Sequence, residues 1–298
     1  MMQSTANPQR IKRIAESVLS LPTLPTVVSK MIEIVDNPKT SATSLARLIS
    51  TDQTLTAKIL KLANSAYYGL SREVSTVNKA IVVLGFNSVR EMGLSLSVLD
   101  AFKGGGSSGL FDIAKFWEHS IGCGVASRML AKAHLPEMAG EAFVAGLLHD
   151  IGKVILNQYA HADFEKILQH VAHDNMELED AELQQLGAHH AEIGSWLAHK
   201  WRLPDLIVTC IRHHHNPAEA GTFAAFVAFA TIADYLCHKA HVGNSGRRSL
   251  PVLTDGFWEL FDELHIPLSV DMLDDIEMEF LLEYDQAETF VSFLYEDR

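Results

Sequence analysis

The stretch Ala142–Leu156, AFVAGLLHDIGKVIL, sets the pair His149-Asp150 inside an otherwise apolar run with helical spacing. A carboxylate buried without a partner costs several kcal/mol. Such a segment therefore needs a buried cation, a hydrogen-bonded histidine or a metal close by in space. Phe223–Leu236, FAAFVAFATIADYL, poses the same question, because Asp234 lies within it and no base is near in sequence. Imidazole nitrogens combined with carboxylate oxygens suit first-row transition metals such as Mn, Fe or Zn. Further candidate ligands are His119, His189-His190 and His213-His214-His215. Taken singly, each has a plain structural explanation: a core histidine is usually just hydrogen-bonded, and a histidine triplet at a helix end can complement the helix dipole. The ordered set on separate apolar helical stretches is what points to one shared site.

Outward from these runs, apolar residues recur at helical spacing almost everywhere. The pattern predicts helices over 11–18, 25–35, 41–49, 55–63, 76–84 and 88–102, then from Asp112 through Ala131 and over 138–159, 162–173, 178–200, 204–215 and 222–240. Lys103–Gly109, KGGGSSG, reads as a flexible linker. The expected fold is all-α: an N-terminal helical subdomain (1–102), the linker (103–109), a helical bundle (110–240) and an acidic helical extension (241–298).

The 298 residues hold 24 Lys plus Arg against 37 Asp plus Glu, a net charge of −13. All of that excess lies in 255–298, where 14 acids face one base, Arg298; the preceding residues are balanced. That balance disfavours both the nucleic-acid backbone and anionic membranes as partners. The acidic segment keeps Phe257, Trp258, Phe261, Phe290 and Phe293, so a packed helical segment with an acidic face is expected. Three scattered cysteines, Cys123, Cys210 and Cys237, argue against a disulfide framework and fit a cytoplasmic protein. The longest uninterrupted apolar run, Phe223–Ala230, is too short to span a bilayer.

The ordered motifs WEHS (117–120), GLLHDIGK (146–153), HHAEIG (189–194), IRHHHNP (211–217) and TIAD (231–234) resemble those of the HD phosphohydrolase superfamily. LPTLPTVVSKMIEIVDNP (21–38), DQTLTAKILKLANSAYYG (52–69) and TVNKAIVVLGFNSVREM (76–92) resemble the HDOD domain, the HD-related output domain of bacterial signalling proteins. The resemblance covers roughly 20–240. It implies a helical N-terminal part packed on an HD-like bundle, with a regulatory role exercised through partner signalling proteins.

HDOD members commonly lack metal-binding residues, whereas this chain is similar to the HD-GYP phosphodiesterases in its ligand set. The resemblance assigns His119, His149, Asp150, His190, His214, His215 and Asp234 to one or two transition-metal ions, Fe or Mn. In those enzymes Asp150's counterpart bridges two metals, and Lys153's counterpart meets a phosphate oxygen; Asp150 and Lys153 are thus the candidate catalytic residues. The alternative function is a metal-dependent phosphohydrolase acting on a nucleotide or cyclic dinucleotide. Two departures oppose hydrolysis: after His215 the chain reads NPAEAGTF with no GYP segment, and Lys115 stands where some members carry a carboxylate. Cys123, one turn after His119, reads as core filling, and the remaining histidines, His238 among them, as surface or satisfied residues.

Overall fold

The computed structural model describes residues 11, 14–16, 18, 26–33, 41–102, 109–174, 176–293 and 295. They are overwhelmingly helical, with no strand among them. Two compact units divide the described residues: one takes those within Met1–Leu21 and Gly105–Phe280, the other those within Pro22–Gly104 and Leu281–Arg298. The acidic segment is thus shared between the units at Phe280. Of the glycine-rich stretch, 103–108 lie outside the described residues, as do 34–40.

The smaller unit contains α1 (Thr26–Glu33), α2 (Ala42–Ile49), α3 (Gln53–Ala63), α4 (Val77–Leu84) and α5 (Phe86–Phe102). Helix starts follow from side chains that accept the first unpaired amides: Ser41 from Ser44, Asp52 from Leu55 and Thr76 from Lys79. Asn64, just past α3, ties the connection down. Its amide donates to the carbonyls of Leu60 and Val74, and its side-chain oxygen accepts from the Val74 amide, at 2.8–2.9 Å. Gly69 closes the turn in the left-handed conformation at φ 57°, where a side chain is disfavoured.

The larger unit contains α6 (Ile113–His134), α7 (Ala139–Leu148), α8 (Ile151–Tyr159), α9 (His161–His173), α10 (Leu178–Leu186), α11 (His190–Lys200), α12 (Asp205–His213), α13 (Ala224–Lys239) and α14 (Asp255–Glu263). The helix α15 (Leu273–Gln286) crosses from this unit into the other, which also holds α16 (Glu288–Ser292). Helix α6 packs against α7 and α13, and α11 against α8 and α12. Phe261, Phe280 and Phe290 are fully buried, so the acidic segment is packed through its aromatic residues.

Two spans that read as continuous helices are broken. The 138–159 pattern splits at His149-Asp150, between α7 and α8, and the 178–200 pattern splits at Gly187, which takes φ 83° and ends α10. Apolar spacing runs on across both junctions, so periodicity alone does not register them. Pro217–Lys239 is long and apolar enough to cross a membrane by length and composition, but 72% of its most apolar window is buried. Gly221, at φ 57° and ψ −124°, interrupts it and leaves the 16 residues of α13, short of the ~20 a spanning helix requires.

Candidate metal centre

Glycine positions bring the candidate ligands together. A Cβ on Gly146 would lie 2.4 Å from the Cys123 carbonyl oxygen, so only glycine lets α7 press against α6 there. That contact sets His149, at the end of α7, opposite His119 on α6. A Cβ on Gly152 would lie 1.9 Å from the His190 carbonyl oxygen and 2.9 Å from the Gly194 amide nitrogen. The approach of α8 to the start of α11 places Asp150 beside His190.

All seven residues assigned by the resemblance converge. His119, His149 and Asp234 group with Cys123; Asp150, His190, His214 and His215 form a second group; within each, the ligand atoms lie within 4.8 Å of one another. Asp150 links the two. Its Oδ2 is 3.4 Å from His149 Nε2, while its Oδ1 is 3.0 Å from His190 Nε2 and 3.5 Å from His214 Nε2. In the first group Asp234 Oδ1 lies 3.0 Å from His119 Nε2 and 3.8 Å from His149 Nε2. His149 and His190 are completely buried, and Asp150 and Asp234 are 1% and 4% exposed.

The outer nitrogens orient the rings. His149 Nδ1 is 2.7 Å from the Gly146 carbonyl oxygen and His214 Nδ1 is 2.9 Å from that of Ile211. A carbonyl only accepts, so each Nδ1 carries a hydrogen and donates it, and in the neutral ring Nε2 is left as a lone pair. His190 Nδ1 is fixed likewise at 2.7 Å from Glu182 Oε2, which also accepts the His190 amide. The inward atoms His149 Nε2, His214 Nε2, Asp150 Oδ1 and Asp234 Oδ1 have no hydrogen-bond partner. With the rings neutral, acceptor faces acceptor across a buried centre. Outer-sphere bonds that aim imidazoles at a shared point, with carboxylates opposite, are the arrangement that metal ligands adopt, and these residues fit a first-row transition-metal ion.

Charge is distributed unevenly. Burial lowers the pKa of His149 and His190, but the neighbouring carboxylates outweigh it, holding His149 well above its ordinary range and His190 at about 9. Burial and the adjacent His215 keep His214 well below. Protons therefore relieve part of the crowding and leave the His214 lone pair facing Asp150. Burial would raise Asp150, yet His149, Lys153 and His190 hold it well below the carboxylate range. The Lys153 ammonium is itself buried and donates to Asp150 Oδ2 at 2.6 Å.

Sequence reasoning missed four participants. Glu182 orients His190; it belongs to the buried stripe Leu178, Ala181 and Leu186 of α10, and that register was the available signal. Glu179 lies 3.0 Å from His215 Nε2 and pairs with Arg247. His238, one turn beyond Asp234, has Nε2 at 3.4 Å from Asp234 Oδ1 and 3.2 Å from Ser245 Oγ. Cys123 Sγ lies 3.4 Å from His119 Nε2. Lys115 turns to Glu118 at 2.7 Å.

An HDOD domain model matches residues 21–217, about two thirds of the chain. The chain belongs to the HDOD family. A solved HDOD domain protein of unknown function from Geobacter sulfurreducens is 27% identical, with a TM-score of 0.75 over 97% of this chain and 98% of that one. A solved protein from Shewanella amazonensis SB2B, named "Putative phosphohydrolase", is 25% identical, with a TM-score of 0.74 over 99% of this chain and 100% of its own. An uncharacterized protein of Treponema pallidum (strain Nichols) is 26% identical over 226 residues, 74% of this HDOD chain. The chain spans 43% of that protein's length.

Proposed function

We propose that this HDOD protein is a metal-bearing regulatory module of the cytoplasm, whose bound ion, one or two of iron or manganese, fixes how its helices meet and whose helical surfaces report that state to partner signalling proteins. The observation that carries the reading is the buried set of inward atoms His149 Nε2, His214 Nε2, Asp150 Oδ1 and Asp234 Oδ1, none with a hydrogen-bond partner, the two rings being fixed by outer bonds from Nδ1 to backbone carbonyls. His119, His149 and Asp234 would hold one ion and Asp150, His190, His214 and His215 a second. A bound ion would cross-link the buried carboxylates and, at any open position, polarise water or a phosphate oxygen. Because these ligands come from α6, the α7–α8 junction, α11, the end of α12 and α13, occupancy acts on much of the larger unit at once.

A metal-dependent phosphohydrolase acting on a nucleotide or cyclic dinucleotide is the second reading. A cavity of about 300 Å³ favours it: it reaches His119 and is lined by Arg247 and Arg248, whose guanidinium groups suit an anionic ligand. The likeness to the Shewanella protein favours it as well. Against it, the Lys153 ammonium is committed to Asp150 rather than open to a phosphate, so the regulatory reading stands first.

Protein purified without chelator is expected to carry one or two equivalents of transition metal; below about a tenth of an equivalent, in folded protein, the reading fails. After stripping, restoring the ion to about 100 times its Kd should stabilise the fold by about 2.7 kcal/mol in thermal denaturation. Turnover of a cyclic dinucleotide by the loaded protein, abolished in Asp150→Ala with helicity retained, would replace the regulatory reading with the hydrolase.

A further inference from the structure

We propose that Cys123 is a metal ligand, making the His119 group a sulfur-bearing site that takes a thiophilic divalent ion, Zn(II) or Fe(II), in preference to Mn(II). The proposal rests on the metal-centre reading above and goes beyond it in naming a fourth donor and the class of ion.

Cys123 follows His119 by four residues on α6, so the two side chains share one face a turn apart. Its sulfur lies 3.4 Å from His119 Nε2 and belongs to the group of four ligand atoms within 4.8 Å of one another. All four residues are buried. The group contains two buried inward atoms with no hydrogen-bond partner, His149 Nε2 and Asp234 Oδ1, which point to a cation independently of the cysteine. Two imidazoles, one carboxylate and one thiol make four protein donors, the number that fills a tetrahedral shell. The second group, Asp150 with three histidines, has no sulfur, and its His215 is partly exposed. The two sites are therefore chemically unequal. Thiolate selects zinc and iron, whereas manganese and magnesium prefer oxygen ligands to sulfur.

Cobalt(II) added to the stripped full-length protein reports both sites at once. Expected are visible ligand-field bands from nitrogen and oxygen ligation, and a near-ultraviolet sulfur-to-cobalt charge-transfer band. Cys123→Ser should lose the charge-transfer band and keep ligand-field absorption from the second group, which also shows that the variant is folded. Cys237→Ser and Cys210→Ser should keep the band; both of those cysteines are buried and free. Zinc affinity at the first site should fall at least about tenfold in Cys123→Ser, the lower end of what losing an outer-sphere partner costs. Ligand-field bands without charge transfer in the unsubstituted protein would overturn the cysteine assignment and leave the metal centre standing. Loss of the band in Cys237→Ser but not Cys123→Ser would overturn it too. Absence of every cobalt band would remove the metal centre, and this inference with it.

Discussion

Gly152→Ala is expected to destabilise the protein by about 3 kcal/mol or more, at the upper end of what overpacking costs. Alanine ordinarily favours a helix over glycine by about 1 kcal/mol, so the substitution would stabilise an unobstructed position on α8. Here the added Cβ would lie 1.9 Å from the His190 carbonyl oxygen and 2.7 Å from its carbon, and both are backbone. No side-chain rotation relieves that overlap. The start of α11 must move, and it carries His190, whose Nε2 faces Asp150 Oδ1 at 3.0 Å. The variant should therefore lose stability in urea denaturation and metal content together. Unchanged values of both would show that α8 and α11 do not meet this closely.

Asp150→Asn should cost about 3–5 kcal/mol, the penalty for leaving one member of a buried ion pair uncompensated. The carboxylate and the Lys153 ammonium are 2.6 Å apart, and both residues are buried. Asparagine keeps the shape of the side chain and removes the charge that Lys153 was buried against. Adding Lys153→Met should recover more than half of the loss, because the stranded cation is then gone. The same double variant should still fail to load the second group, since the carboxylate that faces both His190 and His214 is missing. Simple additivity of the two substitutions in a double-mutant cycle would contradict the pairing.

The all-helical architecture was legible because apolar spacing is strong from Ser41 onward. The breaks were less so. At His149-Asp150 the apolar residues continue on both sides, and the junction depends on tertiary approach at Gly146 and Gly152 rather than on a local stop signal. Gly187 was a readable helix end, with Leu186 before it as the last buried position of α10. Buried carboxylates in apolar helices announced a shared site, since Asp150 and Asp234 had to be neutralised by something distant in sequence. Cys123 was ambiguous in principle: a residue four positions from a buried histidine sits on the core face whether or not it binds anything. Glu182 and Glu179 act from α10 on rings of other segments, so nothing local to those rings reveals them.

Anomalous diffraction at transition-metal absorption edges, from crystals of protein never exposed to chelator, tests the central claim most directly. The account predicts an anomalous peak bounded by His119, Cys123, His149 and Asp234, with a second, where two ions are bound, among Asp150, His190, His214 and His215. Density explained by water alone, with Asp234 and Asp150 satisfied by protonated imidazoles and no anomalous signal, would contradict it.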